Sequence, residues 1–144
     1  MKLFFVAIVL AVVGTSSGKI FNKCELARLM LQNGFPRDQL SDWMCLVQNE
    51  SRFDTTALNT RNTNGSKDYG LFQINNYYWC AEGRVGANDC KVQCSSLRDD
   101  NIADDLRCIK LIYSRHGFTA WVAWTKKCRG KPKPSVAECF VAGK

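Results

Sequence analysis

The sequence predicts a small α+β domain, and three observations carry that prediction. Two segments with helical periodicity come first, a stretch rich in Thr, Asn, Gly and Ser follows, and helical periodicity then returns. Eight cysteines are spread over the same part of the chain. There are no repeats and no linker long enough to separate two domains. Helices at both ends with a small sheet between them are typical of an α+β domain.

The first 18 residues have the pattern of a signal peptide. Lys2 supplies a positive charge, an apolar run of about 11 residues covers positions 3–13, and small residues follow up to Gly18. The run is too short to cross a bilayer, which takes about 20 apolar residues. We therefore expect cleavage before Lys19, secretion to the extracellular space and a mature domain over residues 19–144.

Two helices are expected in the first part of the mature chain. Asn22 and Glu25 have capping-box spacing, and the helix that they begin should end before Gly34. A second helix is expected over 37–49, because apolar residues recur there at i, i+3, i+4 and i+7. It would place Glu50 at its C-terminal end, where the periodicity breaks.

A β-hairpin is expected in the polar stretch that follows. Asn64 and Gly65 favour a two-residue type I′ turn, since both residue types tolerate a positive φ. The strands would cover 57–63 and 66–74.

Helical periodicity returns over 102–117, and Thr119 is expected to cap a shorter helix over 121–124. His116, just before Gly117 at a helix end, is expected to be solvated.

The eight cysteines predict four disulfides, because an exported chain matures in an oxidising compartment. Their spacing leaves on the order of a hundred connectivities open and suggests only that Cys24 and Cys139 tie the termini together. Zinc binding is the alternative. It is disfavoured because His116 is the only histidine and the close pair Cys90 and Cys94 has no partner pair with finger-like spacing.

The chain is basic, and the formal charge of +7 becomes +6 once Lys2 is removed with the signal peptide. Such a charge steers a secreted protein towards anionic surfaces, such as those of bacteria. Nucleic acid is disfavoured as a partner, because the chain has an export signal and lacks any basic-aromatic repeat. Basic residues crowd the C-terminal third: Lys126, Lys127, Arg129, Lys131 and Lys133.

Carboxylates are the candidate catalytic groups. The sequence has no nucleophile elbow, phosphate-binding loop or dinucleotide fingerprint. Glu50 follows an apolar helix face, where partial desolvation would keep its carboxyl protonated, whereas Asp68 lies among hydroxyls and amides that favour the ionised form. Glycoside hydrolysis requires such a pair, one carboxyl to protonate the leaving oxygen and one to stabilise or capture the cation-like sugar.

Five motifs make the chain similar to c-type lysozymes over essentially the whole mature length. They lie at 19–27, 49–53, 62–75, 78–80 and 120–124, and the second and third contain the two candidate carboxylates. The resemblance implies the lysozyme fold, in which a helical lobe and a small antiparallel sheet lobe flank a cleft. It also implies a monomer that requires no cofactor.

By the same resemblance the substrate is the β-1,4 linkage between N-acetylmuramic acid and N-acetylglucosamine of bacterial peptidoglycan, with chito-oligosaccharides as secondary substrates. Glu50 corresponds to the general acid and Asp68 to the carboxylate that stabilises or captures the intermediate. Trp43 and Trp124 are expected in the core. Six residues correspond to positions in the cleft that hydrogen-bond or stack on sugars: Asn62, Gln73, Asn75, Tyr78, Trp79 and Trp121.

The family pattern pairs the cysteines as Cys24 with Cys139, Cys45 with Cys128, Cys80 with Cys94, and Cys90 with Cys108. The chain departs from that pattern in three places, which are expected to alter sugar affinities only. Tyr78 replaces a tryptophan of some relatives, an extra residue lies near Thr60, and the segment before Cys45 is shorter.

A structural calcium ion is a further expectation. Asp99, Asp104 and Asp105 match the spacing of the calcium elbow of α-lactalbumins and a minority of lysozymes, and carbonyls of Ser96 and Asn101 would add two oxygens. The alternative is that acidic residues in the first turn of a helix only complement its dipole.

Two other functions stay open. One is a non-catalytic binding protein on a lysozyme scaffold, and the other is a cationic, membrane-active defence protein. A lysozyme could serve defence or digestion. Two N-glycosylation sequons are present, at Asn49 beside the candidate acid and at Asn64 in the more accessible hairpin.

Overall fold

The computed structural model describes residues 17–141. The expected signal peptide lies outside these residues, apart from its last two positions. The helices are α1 Lys23–Gln32, α2 Leu40–Ser51, α3 Ala103–His116 and α4 Val122–Lys127. The strands are β1 Leu58–Asn59, β2 Asp68–Tyr69 and β3 Ile74–Asn75. Short 3₁₀ segments cover Arg37–Gln39, Cys94–Arg98, Gly117–Ala120 and Ala137–Phe140.

The first helix begins where the capping-box spacing predicts. The side-chain oxygen of Asn22 accepts a hydrogen bond of 2.8 Å from the backbone N–H of Glu25, which satisfies one free donor of the first turn. Gly34, with φ of +87°, turns the chain out of the helix. Leu26 and Met30 are fully buried, so the apolar face packs into the core as expected.

The second helix differs from its prediction at both ends. Residues 37–39 form a 3₁₀ turn, and the α-helix begins only at Leu40. It continues to Ser51, so Glu50 lies within its last turn rather than beyond it. The helix stops because Arg52 and Phe53 both adopt positive φ, at 53° and 62°. Non-glycine residues rarely do so.

The small sheet has three antiparallel strands in the order β1-β2-β3 and not the two longer strands expected. Gly70 and Gln73, at φ of 78° and 49°, turn the chain within the predicted second strand, so that segment divides into β2 and β3. Asp68 stands in the middle strand, paired with Asn59 on one side and Asn75 on the other.

The predicted type I′ turn is wrong. Gly65 has φ of +81°, but Asn64 is not among the described residues with positive φ. The N–H of Gly65 instead donates to the carbonyl of Asn62 at 3.0 Å, so Thr63 and Asn64 are the central residues of the turn. The backbone N–H and the hydroxyl of Ser66 both donate to the side-chain oxygen of Asn64. These hydrogen bonds favour this turn over a two-residue hairpin loop.

The third helix ends at His116 as expected, and Gly117 follows it with φ of +64°. The prediction for Thr119 is wrong: its hydroxyl donates to the carbonyl of His116 at 2.8 Å and closes a 3₁₀ turn. α4 instead begins after Trp121, without a side-chain cap.

Aromatic rings form the centre of the helical lobe. Trp43 is fully buried and makes edge contacts with Phe35, Phe72 and Trp121, at ring-centroid distances of 5.6, 6.1 and 5.4 Å. Trp124 packs against this core from a partly buried position. Trp43 therefore has the core position expected for it, whereas Trp124 lies at the edge of the core, where its indole N–H donates to Oδ1 of Asp42 at 2.9 Å. Between residues 17 and 141, no helix has both the length and the apolar composition needed to cross a membrane.

Four disulfides lock the chain in the pairing that the resemblance implied. They join Cys24 to Cys139, Cys45 to Cys128, Cys80 to Cys94, and Cys90 to Cys108. All eight cysteines are thus paired, which leaves no thiolate for zinc.

Candidate active site

A cleft of about 550 Å³ runs between the helical lobe and the sheet. Its walls come from the end of α2, the sheet and its turn, the loop after β3, and the segment that joins α3 to α4. Both candidate carboxylates line it, Glu50 from the helical side and Asp68 from the sheet. All six residues expected to bind sugar line the cleft as well: Asn62, Gln73, Asn75, Tyr78, Trp79 and Trp121.

Glu50 lies in a partly desolvated position at the C-terminal end of α2. Burial, and next the negative charge of Asp68, raise the pKa of Glu50 to about 7. A hydrogen bond from the backbone N–H of Ala123 acts in the opposite direction. Glu50 therefore holds a proton at mildly acidic pH, where an ordinary glutamate is ionised. A carboxyl group in this state can donate a proton to a bound molecule.

Asp68 has the opposite surroundings, because three side-chain amides donate hydrogen bonds to it. Asn59 and Asn62 donate to Oδ2 at 3.0 and 2.9 Å, and Asn75 donates to Oδ1 at 2.9 Å. These three hydrogen bonds hold the Asp68 carboxylate in one orientation. The cleft thus combines a protonated carboxyl with a carboxylate that amides hold in place.

Ser66 holds two of these amides, those of Asn62 and Asn75, in place. It is only 1% exposed, and its hydroxyl oxygen accepts from Asn62 and Asn75 at 3.2 and 2.9 Å. The contacts to Asp68 and Ser66 therefore occupy the side-chain nitrogens of Asn62 and Asn75, two residues expected to bind sugar.

Asn59 and Ser66 belong to this hydrogen-bonded cluster, and the sequence pattern did not predict either of them. The signal for Asn59 was the strand register, since it lies directly across from Asp68 in β1. The mistaken two-residue turn concealed that register.

Gln73 and Trp121 line the cleft but also bind the backbone. The side-chain nitrogen of Gln73 donates to the carbonyl of Gly70 at 3.0 Å, and the indole N–H of Trp121 donates to the carbonyl of Phe72 at 2.9 Å. Trp121 is 5% exposed, so it offers the cleft part of its ring while the rest belongs to the core.

Tyr78 and Trp79 are the more accessible aromatic residues of the cleft. Tyr78 is 60% exposed. Trp79 is partly buried, with the guanidinium carbon of Arg115 at 5.5 Å from its ring centroid and the ring of His116 at 5.9 Å. His116 is exposed as expected, and the structure adds its contact with Trp79. These two rings offer flat apolar faces to a ligand.

The acidic cluster expected to bind calcium lies at the start of α3, and Asp105 is its buried member. Asp105 is fully buried, and neither of its carboxylate oxygens receives a hydrogen bond from the described residues. Burial, and next the adjacent Asp104, raise the pKa of Asp105 to about 9. Burial and the charge of Asp104 also raise the pKa of Asp99.

The three aspartates do not converge tightly in this conformation. Within residues 17–141, the one group of three potential ligands whose atoms lie within 4.8 Å of each other is Cys24, Glu138 and Cys139. The two cysteines of that group form a disulfide, so it cannot hold a metal.

Comparison with known proteins identifies a family. The sequence model of the C-type lysozyme/alpha-lactalbumin family matches residues 19–139. The chain is 51% identical to Lysozyme c-1 of Anopheles gambiae over 142 residues, which are 97% of this chain and all of that protein. It is 45% identical to Lysozyme of Bombyx mori, over 96% of this chain and 98% of that protein.

Solved structures show the same likeness. Recombinant canine milk lysozyme superposes with a TM-score of 0.73 at 46% identity, over 79% of this chain and 92% of that one. A calcium-binding lysozyme from equine milk superposes with a TM-score of 0.72 at 44% identity, with the same coverage of both chains.

Proposed function

Since the chain belongs to the C-type lysozyme/α-lactalbumin family, we propose that it hydrolyses the β-1,4 bond between N-acetylmuramic acid and N-acetylglucosamine in bacterial peptidoglycan. One observation carries the proposal. Glu50, with a pKa raised to about 7, shares a cleft with Asp68, whose carboxylate accepts hydrogen bonds from three amides. Two carboxyl groups in such different environments can act as acid and as nucleophile or stabiliser, the division of roles found in lysozymes generally.

In this mechanism Glu50 donates its proton to the glycosidic oxygen as the bond to the sugar carbon breaks. Asp68 stabilises the positive charge that develops on the sugar, or forms a covalent bond to it, and water then completes hydrolysis. The amides of Asn59, Asn62 and Asn75 hold the carboxylate in one orientation throughout, which limits the reorganisation needed in the transition state.

The two accessible aromatic rings of the cleft are proposed to bind sugar rings. Tyr78 and Trp79 offer faces on which the flat C–H patches of a pyranose can stack. We assign Asn62, Gln73 and Asn75 mainly to positioning, because their side-chain nitrogens already bind protein acceptors. Chito-oligosaccharides present the same ring faces and are the expected secondary substrates.

The test is the activity of Glu50→Gln and Asp68→Asn on peptidoglycan, with Glu25→Gln as the matched control on an exposed helix position. Both cleft variants should lose nearly all activity while their far-ultraviolet circular dichroism matches that of the wild type. The control should keep full activity. If Glu50→Gln retained half of the wild-type turnover, the proposed mechanism would be wrong.

The same variants separate this proposal from its two rivals. If the chain were a non-catalytic binding protein, the wild type and Glu50→Gln would bind peptidoglycan equally well, and neither would cleave it. A membrane-active protein would kill bacteria through its charge, so Glu50→Gln would leave killing intact. Four basic residues that follow α4 or end it are exposed and could serve that second activity: Lys126, Lys127, Arg129 and Lys131.

We propose that the chain is exported and acts as a monomer on the anionic surface of bacteria. The apolar run at 3–13 and the family match from residue 19 onwards support removal of residues 1–18. The N-terminal sequence of the protein from culture medium tests this, since it should begin at Lys19.

A calcium site at the start of α3 is a second proposal, and Asp105 favours it. A buried carboxyl group without a hydrogen-bond donor keeps its proton in the absence of a cation, and a bound cation would neutralise its ionised form. Asp104 and Asp99 both raise the pKa of Asp105, and they would have to move closer to it to share the ion. Carboxylates and carbonyls are the ligands that calcium prefers. Bound calcium would supply positive charge that stabilises the turn before α3 and would have no part in the reaction.

A further inference from the structure

In the turn at the rim of the cleft, the side-chain oxygen of Asn64 is hydrogen-bonded and its side-chain nitrogen has no partner among the described residues. Asn64 is exposed, and its Oδ1 accepts hydrogen bonds from the backbone N–H and the hydroxyl of Ser66, at 3.0 and 2.6 Å. No hydrogen bond from its Nδ2 to another described residue is present. The residues Asn64, Gly65 and Ser66 form a sequon for N-linked glycosylation.

We propose that Asn64 carries an N-linked glycan, attached during export of the chain. The co-reactant is a lipid diphosphate oligosaccharide whose first sugar is N-acetylglucosamine. The Nδ2 of Asn64 forms a bond to C1 of that sugar, the bond from C1 to the lipid diphosphate breaks, and the amide nitrogen loses one proton. The lipid diphosphate leaves with the bonding electrons. This inference rests on the proposed export.

The local geometry suits this reaction. Both hydrogen bonds to Oδ1 lie within three consecutive residues, so the turn can form in the nascent chain before any tertiary contact exists. A hydroxyl that donates to the amide oxygen draws electrons from the amide group and makes its N–H more acidic. The free Nδ2 then loses no contact when the sugar is added.

The second sequon of the chain lacks these features. The Nδ2 of Asn49 donates to the carbonyl of Cys45 at 2.8 Å, so a glycan there would disturb a hydrogen bond in α2. The sequon hydroxyl, that of Ser51, donates to the carbonyls of Val47 and Leu71, whereas that of Ser66 donates to the side-chain oxygen of its own sequon asparagine. We therefore assign the glycan to Asn64 alone.

A glycan at Asn64 would restrict access to the cleft. Asn64 lines the cleft beside Thr63 and Asn62, and Asn62 binds Asp68. A bulky oligosaccharide at this rim would hinder a cross-linked wall more than a short soluble chain. The glycan would therefore shift the preference of the enzyme from intact walls towards small fragments, a consequence that rests on the proposed hydrolase function.

The experiment is expression of the full chain, residues 1–144, in insect cells, followed by intact-mass measurement of the secreted protein. The wild-type mass should exceed that of residues 19–144, with eight cysteines paired, by one oligosaccharide. Asn64→Gln should remove the excess, and Asn49→Gln should leave it unchanged. Treatment with a glycan-removing amidase, which converts the modified asparagine to aspartate, should bring the wild type to the mass of Asn64→Asp.

Activity is the second measurement, with Asn64→Asp as the matched reference for the amidase-treated protein. Treatment should raise the rate on whole bacterial walls and leave the rate on chito-oligosaccharides unchanged. A secreted wild type without added mass, or with a change of one dalton from deamidation only, would overturn the proposal. So would a glycan that persists in Asn64→Gln. Because the mass measurement needs no enzyme activity, its failure is distinct from failure of the proposed hydrolase function.

Discussion

Asn75 lies directly across the sheet from Asp68, and its side-chain nitrogen donates a hydrogen bond of 2.9 Å to Oδ1 of that carboxylate. Asn59 occupies the equivalent position on the other neighbouring strand and donates to Oδ2 at 3.0 Å. The three residues form one row across the sheet, so a single register places both amides. The hydrogen-bond ladder of the sheet therefore fixes the orientation of the candidate catalytic carboxylate.

Replacement of Asn59 by alanine should reduce kcat by about 10- to 100-fold, since a hydrogen bond to a charged group contributes about 1.5–3 kcal/mol. KM should change little, because the side-chain nitrogen of Asn59 contacts Asp68 and Asn62 and not the accessible aromatic faces. Steady-state kinetics on a soluble chito-oligosaccharide measures both constants. Asn33→Ala, an exposed amide outside the cleft, serves as the control. An unchanged kcat in Asn59→Ala would show that the row has no role in catalysis.

The pH dependence of kcat/KM should have an alkaline limb centred near pH 7, because burial and the charge of Asp68 raise the pKa of Glu50 to about 7. Glu50 acts as an acid only when protonated, so activity falls as pH rises through this value. In Asp68→Asn one cause of the shift is lost, and the pKa of Glu50 should move down while burial keeps it above the ordinary value of 4.5. Carbon-13 NMR titration of the Glu50 carboxyl tests the second statement. A Glu50 that titrates near 4.5 in the wild type would contradict both.

The raised pKa of Glu50 also means that its ionisation lowers the free energy of unfolding as pH rises. Its folded pKa of about 7 exceeds the unfolded value of 4.5, so the folded state binds the proton more tightly and loses stability as pH rises from 4.5 to 7. Below pH 4.5 both states are protonated and the cost disappears. Glu50→Gln should therefore be more stable than the wild type by about 1–3 kcal/mol at pH 7.5 and equal to it at pH 4. Urea unfolding at the two pH values measures this difference, and an equal gain at both would exclude ionisation as its cause.

The sequence predicted the elements that depend on local patterns. The Asn22 cap and the buried faces of α1 and α2 follow from residue spacing, and the structure has them. The sheet was predicted poorly because its strands are two residues long and their limits depend on tertiary contacts. Gly70 shows this dependence, since a Cβ there would lie 1.8 Å from the carbonyl oxygen of Leu97. No local sequence pattern indicates this close approach of Gly70 to Leu97.

The candidate site shows the same division. Glu50 and Asp68 could be chosen from their neighbours in the sequence, and the structure brings both to one cleft. The hydrogen bonds that orient Asp68 could not be predicted, because they depend on the register of three short strands. The burial of Asp105 likewise depends on tertiary packing. Gly70 lies beside it, and a Cβ added at Gly70 would be 3.5 Å from Oδ2 of Asp105.

Calcium at millimolar concentration should raise the thermal midpoint of the protein, and a chelator should reverse the change. A ligand at a hundredfold excess over its Kd stabilises the native state by about 2.7 kcal/mol. The effect should depend on pH, because burial and the adjacent Asp104 raise the pKa of Asp105 to about 9. At neutral pH the folded protein therefore holds a proton on Asp105 that calcium must displace, so the stabilisation should grow from pH 6 to pH 9 and vanish in acid. Asp105→Asn should abolish it, whereas Asp38→Asn, at an exposed site, should not. A midpoint that calcium leaves unchanged at pH 9 would restrict the aspartates to complementing the dipole of α3.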